Sequence, residues 1–161
     1  MGNRADEDWS NVLFRCEEMA HADRWTIENG YASGITLMEN AGAAVAQTVL
    51  ERFGGAPRAH MLCGPGNNGG DGYIAARILR EAGMEVALYA FGRPREGSDA
   101  QEAASRCPVE SEIPDHFRPD RGDVVIDAIF GAGLTRTLPE DVRSVLERAR
   151  SAGCRVVAVD L

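Results

Sequence analysis

Lysine is absent from this chain of 161 residues, so its seventeen basic residues are all arginine. The absence of lysine excludes Schiff-base chemistry and the phosphate-loop lysine of nucleoside triphosphatases. The basic residues are also outnumbered by twenty-five acidic ones, which gives a net charge of −8. Such an acidic chain lacks the basic footprint of a general nucleic-acid binder, and we expect no nucleic acid among its partners.

Long apolar runs and closely spaced cysteines are missing as well. No stretch approaches the roughly 20 apolar residues of a membrane span, and no charged and then apolar N-terminus suggests a signal peptide. The four cysteines include no C-x-x-C pair, so the sequence contains neither a zinc motif nor a redox motif. We expect a reduced, cytoplasmic protein that makes no membrane contact.

The N-terminal part of the chain is predicted to be helical after a short tail. Residues 1–8 are expected to form a disordered tail, followed by a domain over residues 9–161. Apolar residues recur at helical spacing over residues 9–25. Thr36 could cap a second helix that runs to about Phe53, with Glu39 completing a capping box. One face of that helix has only small residues, which indicates close packing but does not say against what.

From residue 59 onward, predicted strands and helices alternate. The strands span residues 59–63, 85–91, 123–127 and 155–161, and the helices span residues 72–82, 98–107 and 138–152, with a polar stretch after residue 108. This alternation predicts a three-layer α-β-α sandwich with a Rossmann-like, mostly parallel sheet. A natural domain would hardly stop at the carboxyl end of a strand, so we expect the domain to be truncated at its C-terminus and incomplete.

The strongest candidate for a ligand-binding segment is Gly64-Pro-Gly-Asn-Asn-Gly-Gly-Asp-Gly72, between the first strand and its helix. Its glycines match G-x-G-x-x-G, which is typical of dinucleotide-binding dehydrogenases. Against that interpretation, no acid follows the second strand, although Arg93 and Arg95 there would suit a 2′-phosphate. Asp71 would also place a carboxylate where pyrophosphate is usually held, and the paired asparagines suit hydroxyls, amides or a hard cation. A tight turn capped by Asp71 is the structural alternative.

Two further segments follow the third and fourth predicted strands. Asp127 ends a buried strand, and the loop after it combines glycines, hydroxyl groups and a cation that suit an anion or phosphate: Gly131, Gly133, Thr135, Arg136 and Thr137. An ordinary loop with Asp127 as a strand cap is the alternative. Asp160 is another acid at a strand end. Because the carboxyl ends of parallel strands share one edge, we expect all three segments to lie there. The three histidines lie outside these segments and are interpreted as surface or packing residues.

Four blocks of the sequence together form a recognisable pattern: Leu37-Met-Glu-Asn-Ala-Gly42, the glycine-rich segment over residues 64–72, Asp127-Ala-Ile-Phe-Gly-Ala-Gly-Leu134 and Val156-Val-Ala-Val-Asp160. With these blocks the chain resembles the NAD(P)H-hydrate epimerase family, whose domain is also called YjeF N-terminal. Their order and spacing cover residues 10–161, and the glycine-rich block is far more specific than a bare G-x-G-x-x-G. The family continues past the last block with Pro-Ser-Gly.

The resemblance implies an isomerase that interconverts the R and S forms of hydrated NADH and NADPH, which a separate dehydratase repairs. It implies potassium as cofactor, with Asn68 and Asp127 as ligands, while a third ligand, a serine, would fall beyond Leu161. Asp160 is then the candidate general acid and base, because Asp127 would be engaged by the cation. The implied substrate-binding residues are Asn67, Asn68, Gly69, Gly70, Asp71, Gly131, Ala132, Gly133, Leu134, Thr135, Arg136, Thr137 and Asp160.

Other functions remain open at this point. The chain could be a non-catalytic scaffold of the same fold that binds a protein partner, or an NAD(P)-dependent dehydrogenase. The sequence leaves undecided whether a dehydratase domain lies on the same chain and whether the protein is a homo-oligomer.

Overall fold

A computed structural model describes residues 15–131, 134 and 137–160. The predicted tail over residues 1–8 and the start of the first predicted helix lie outside these ranges. The chain forms two compact units, Met1–Ser33 and Gly34–Leu161. In the described part of the first unit, helix α1 spans Cys16–Glu28. The Glu18 carboxylate accepts the Arg15 N–H at 2.7 Å, which ties down the start of this helix.

The second unit alternates helices and strands. Its elements are α2 (Gly34–Phe53), β1 (Ala59–Cys63), α3 (Asn67–Glu81), β2 (Val86–Ala90), α4 (Asp99–Arg106), β3 (Ser111–Glu112), a 3₁₀ turn (Pro114–His116), β4 (Val124–Ala128), α5 (Glu140–Ala152) and β5 (Arg155–Ala158). Local chemistry fixes the ends of two helices: the Ser98 hydroxyl caps the start of α4, and Gly153 ends α5 in the left-handed conformation. No helix in the described ranges is long and apolar enough to cross a membrane.

The five strands form one parallel sheet in the order β3-β2-β1-β4-β5. Within it, Leu62 stands opposite Tyr89 and Asp127, and Asp127 stands opposite Ala158. The chain extends the sheet from β1 towards β3 and then returns to add β4 and β5 on the other side. The order therefore reverses between β1 and β4, which places the ligand crevice of such sheets at their carboxyl ends.

Apolar side chains cover both faces of the sheet. Alternate strand residues, among them Met61, Leu88 and Ile126, pack into a buried core with α2, α3 and α4. The residues between them, such as Leu62 and Val125, pack with Phe117 and α5. The predicted three-layer α-β-α sandwich is confirmed.

Three local predictions differ from the structure. Helix α3 begins at Asn67, five residues before the predicted start, so most of the glycine-rich segment is helical. Helix α2 begins at Gly34, which places Thr36 inside the helix, and the Glu39 carboxylate pairs with Arg77 at 2.6 Å. Strand β3 lies in the polar stretch for which no element was predicted. Its two residues are exposed and give no apolar signal.

Candidate functional site

The first turn of α3 holds the five residues predicted to line the ligand from this segment. Gly66 is the N-cap and its carbonyl accepts the Gly70 N–H at 3.1 Å, so residues 67–71 follow a helical path. Asn67 is exposed, whereas Asn68 is buried. Gly66 has no side chain to cap the helix, which leaves the N-terminal end of α3 open to a polar ligand.

Asn68 is the buried polar residue that lacks a partner. Its side chain is 9% exposed, and neither Oδ1 nor Nδ2 has a hydrogen-bond partner in the described part of the chain. Leaving such a group buried and unsatisfied costs about 1–3 kcal/mol. Such a buried amide is a candidate for binding a polar group that supplies the missing hydrogen bonds.

Gly131 marks the point where three segments meet. A Cβ atom placed on Gly131 would collide with Oδ2 of Asp160 and would lie 3.7 Å from Cβ of Asn68. The structure therefore brings together the start of α3, the loop after β4 and the end of β5, as the parallel topology predicts. Asp160 itself has φ of 57°, in the left-handed region that aspartate adopts more readily than most residues.

Close backbone contacts explain why the segment before α3 is rich in glycine. A Cβ atom on Gly64 would collide with the Ile129 carbonyl oxygen, and one on Gly69 would collide with the Gly64 carbonyl oxygen. Only glycine allows these backbones to approach so closely. The same contacts explain why α3 begins earlier than local propensity predicts, since tertiary packing overrides the poor helix propensity of asparagine and glycine.

Asp127 lies at the end of β4 and is half-buried. Its Oδ1 atom accepts the Ile129 N–H at 3.1 Å, which is the strand cap left open as the structural alternative. Burial raises the pKa of the Asp127 carboxyl above its usual value, and this backbone hydrogen bond partly offsets the rise. Asp127 and Asn68 form no hydrogen bond with each other, and their joint role as metal ligands stays a prediction.

The predicted phosphate loop is only partly described. Ala132, Gly133, Thr135 and Arg136 lie outside the described residues. The Leu134 N–H donates to the Gly131 carbonyl at 3.2 Å, and both Leu134 and Thr137 are exposed. A phosphate-binding role for residues 131–137 remains a prediction.

Helix α2 supports the site in a way that the residue-by-residue prediction missed. A Cβ atom on Gly70 would collide with Sδ of Met38, and one on Gly42 would lie 2.8 Å from the Asp71 carbonyl oxygen. Met38 and Gly42 of α2 therefore pack against the first turns of α3, whereas Ala41, Ala43 and Ala44 of the predicted small-residue face are exposed. The run of small residues in α2 was the available signal, although it could not identify the partner.

Comparisons with known proteins give the family. Residues 34–161 match the family described as YjeF-related protein N-terminus. The chain belongs to this family. The NAD(P)H-hydrate epimerase of Rhodobacter capsulatus is 37% identical over 160 residues, which cover 92% of this chain and 75% of that protein. The NAD(P)H-hydrate epimerase of Cenarchaeum symbiosum is 35% identical over 83% of this chain and 67% of that protein.

Longer relatives and a solved structure agree with this assignment. The bifunctional NAD(P)H-hydrate repair enzyme Nnr of Thermofilum pendens is 35% identical over 91% of this chain, which spans only 30% of that protein. The crystal structure of the yeast protein ynu0 superposes with a TM-score of 0.72 and covers 93% of this chain and 70% of the yeast chain. At 22% identity that superposition shows the fold. The family resemblance inferred from the four sequence blocks is confirmed.

Proposed function

We propose that this chain is an NAD(P)H-hydrate epimerase, which interconverts the R and S forms of hydrated NADH and NADPH. Curated relatives with that name match most of the chain and support the proposal. The structural observation that carries it is the buried, unpartnered amide of Asn68 next to the Gly131–Asp160 contact. This arrangement suits a polar ligand with a group that gains and loses water.

Asp160 carries the proton transfer in this proposal. The hydrated carbon of the substrate bears a hydroxyl group and the ring nitrogen. When the Asp160 carboxyl protonates the hydroxyl, water leaves and the ring becomes an iminium ion. Water then adds to the other face of the ring and returns a proton to the carboxylate, so the enzyme is unchanged after one cycle. General acid–base catalysis of this kind contributes about 10²–10⁴-fold to the rate.

Asn68 orients the substrate in the same scheme. Its Nδ2 group donates two hydrogen bonds and its Oδ1 atom accepts, so the amide can hold a hydroxyl or a carboxamide. Because the side chain is buried and its turn is fixed by glycine contacts, the amide is held in place before substrate binds. Such preorganisation lowers the entropy cost of reaching the reactive geometry.

Potassium is the proposed cofactor, and the residues present fit it. The unpartnered Oδ1 of Asn68 and the half-buried Asp127 carboxylate are oxygen donors, the kind of ligand that hard cations prefer. Asn68 and Asp127 would hold the ion, and its charge would offset the carboxylates of the site. Within residues 15–131, 134 and 137–160, no three His, Cys, Asp or Glu side chains cluster to form a metal site, so further oxygen ligands are required.

The functional partner in this proposal is an NAD(P)H-hydrate dehydratase. The bifunctional repair enzymes among the relatives support this pairing, since the matched part covers only 28–30% of two of those proteins. The epimerase step supplies whichever epimer the dehydratase accepts.

A coupled assay tests the proposed function. A dehydratase that accepts only the S form is mixed with both epimers, and the slow second phase reports conversion of R to S. The chain should speed that phase in proportion to its concentration. A second phase no faster than the uncatalysed one would contradict the proposal.

Asn68→Ala tests the role proposed for the buried, unpartnered amide of Asn68. We expect its kcat/KM to fall by about 5- to 150-fold, because a buried amide that contacts substrate contributes about 1–3 kcal/mol. Gln47→Ala is the control, because the Gln47 amide is exposed on α2 and already pairs with Glu51 at 2.8 Å. Equal activity in the two variants would remove Asn68 from the site.

A further inference from the structure

The loop between β2 and α4 lies directly beside the glycine-rich segment. The Phe91 N–H donates to the Cys63 carbonyl at 2.8 Å, which ties the end of β2 to the end of β1. Gly92 has φ of 106°, and a Cβ atom placed on it would lie 3.6 Å from Cβ of Pro65. Arg93 therefore follows a residue that touches the segment leading into α3, at the same edge as Asn68.

Arg93 and Arg95 are the cations of this loop that have no partner. Both residues are exposed, and neither forms a hydrogen bond or ion pair through its guanidinium group in the described part of the chain. Arg143 in the first turn of α5 has its guanidinium group 3.7 Å from the Glu140 carboxylate, whereas the guanidinium group of Arg80 in the last turn of α3 has no partner among the described residues either. Arg93 and Arg95 differ from Arg80 in that their loop lies beside the glycine-rich segment. Two unpaired guanidinium groups in one loop repel each other and add little to stability, but they suit a phosphate, which arginine can bind through two parallel hydrogen bonds.

The net charge of the chain makes such local cations more important. A chain of charge −8 repels a substrate that carries several phosphates, so the attraction must come from the loops around the site. The guanidinium groups of Arg93 and Arg95 are available for that attraction.

The position of the loop indicates which phosphate it meets. In sheets with this strand order, the end of β2 next to the glycine segment faces the ribose of a bound dinucleotide. An acid there binds a free 2′-hydroxyl, whereas arginine accommodates a 2′-phosphate. The sequence here is Tyr89-Ala-Phe-Gly-Arg93, with no acid before Glu96.

We propose that Arg93, assisted by Arg95, binds the 2′-phosphate that distinguishes hydrated NADPH from hydrated NADH. The inference rests on the proposed epimerase function, and it makes the phosphorylated form the preferred substrate. Arg93 acts on specificity in this scheme and takes no part in proton transfer.

Arg93→Gln tests the inference by kinetics. The KM for hydrated NADPH should rise by about tenfold or more with kcat unchanged, because a charge-assisted hydrogen bond to the phosphate is lost equally from the bound substrate and from the transition state. The KM for hydrated NADH should stay within about twofold. Arg93→Lys keeps the charge without the paired donors and should fall between the wild type and Arg93→Gln.

Arg80→Gln is the matched control for net charge. Arg80 is exposed in the last turn of α3, at the far end of that helix from the glycine-rich segment. The Arg80→Gln variant loses the same charge as Arg93→Gln, and it should leave the KM values for hydrated NADPH and hydrated NADH unchanged at constant ionic strength. An equal loss on both substrates in Arg93→Gln, or no loss on hydrated NADPH, would overturn the inference.

A binding measurement separates this inference from the proposed function. Calorimetric titration with NADP⁺ and NAD⁺ needs no turnover, and the wild type should bind NADP⁺ at least about tenfold more tightly. Arg93→Gln should abolish that difference. Equal binding of the two by the wild type overturns the inference alone, whereas an intact NADP⁺ preference in a chain without epimerase activity overturns the proposed function alone.

Discussion

Buried polar side chains in two regions of this molecule differ in whether they have hydrogen-bond partners. On the α5 face of the sheet, Nε2 of His60 lies 2.9 Å from the Asp123 carboxylate, and the Tyr89 hydroxyl lies 3.4 Å from Nδ1 of His60. Asp123 also accepts the Asp120 N–H at 2.8 Å. We call these residues the His60 network. At the carboxyl edge, Asn68 is buried with no partner.

The difference separates polar groups that hold the fold from polar groups that await a ligand. His60 is completely buried, and Phe117 packs edge-on against its ring at 5.2 Å between centroids. Each polar atom of the His60 ring has a partner, so the network ties β1 to β2 and to the start of β4. The Asn68 amide contributes nothing comparable to stability until something binds it.

A groove beside the His60 network illustrates the same contrast. It runs between residues 117–120 and α5, and Arg148 lines it. The Arg148 guanidinium already donates to the carbonyls of Phe117 at 2.9 Å and Pro114 at 3.2 Å. A cation that is already used by carbonyl groups has less to offer a ligand than one without partners.

The largest expected effect comes from Asp160→Asn. The variant loses the proton-transfer group but keeps a residue that tolerates φ of 57°, so kcat should fall about 10²–10⁴-fold with little change in the free energy of unfolding. Steady-state kinetics and urea denaturation check the two parts. Asp115→Asn, an exposed carboxylate elsewhere, is the control. Retained activity in Asp160→Asn would assign acid–base catalysis to another group.

Asp123→Ala in the His60 network should lose stability and keep its kcat, which is the reverse of the result expected for Asp160→Asn. Removing this carboxylate leaves the His60 ring and the Asp120 N–H unsatisfied, so the free energy of unfolding should fall by about 1–3 kcal/mol. The kcat of the folded fraction should be unchanged when it is measured well below the unfolding temperature. A tenfold loss of kcat in a fully folded variant would show that the two regions are coupled.

The smallest effect is expected at Asp127, which sharpens the comparison because it is both half-buried and at the site. Burial raises its folded pKa above the unfolded one, so the folded state favours the protonated carboxyl. The cost of burying the charge is therefore present at pH 7 and disappears as the pH falls below the unfolded pKa.

Asp127→Asn should consequently be more stable than the wild type at pH 7, by less than about 1 kcal/mol, because a half-buried charge is partly screened by solvent. The advantage should shrink as the pH falls from 7 towards 4 in urea denaturation experiments. If Asp127 holds the ion, potassium should further reduce the difference in the free energy of unfolding between Asp127→Asn and the wild type. Sodium at equal ionic strength serves as the control. A variant less stable than the wild type at pH 7 would show that the carboxylate is already compensated within the fold.

Four of the five strands were predictable from the sequence because their signals are local, whereas the exposed strand β3 was missed. Strand β1 was predicted at its observed bounds, since five buried residues are followed directly by Gly64. The meeting of Asn68, Gly131 and Asp160 followed from parallel topology alone, because strand ends share an edge. The packing role suggested for His60 also holds, although its polar partners are distant in sequence.

The start of α3 and the environment of Asn68 could not be predicted, because they depend on contacts between residues that are distant in the sequence. The sequence predicted a loop at residues 67–71 because asparagine and glycine are poor helix formers, yet these residues are helical and pack closely against Met38 and the Gly64 backbone. The unpartnered state of Asn68 likewise depends on what surrounds it in three dimensions. Phosphate binding by residues 131–137 and the potassium ligands remain predictions.

The backbone contacts of Gly64 and Gly69 also constrain how this site can diverge. Gly69 packs directly on the Gly64 backbone and Gly64 packs directly on the Ile129 carbonyl, so no side chain at these two contacts could shift to accommodate an added methyl group. Side chains such as those of Arg93 and Leu134 can vary and retune which molecule is accepted. The distance between α3 and the sheet cannot be changed in small steps. We therefore expect new specificities in this fold to arise from substitutions at exposed side chains around the site, with the glycine contacts unchanged.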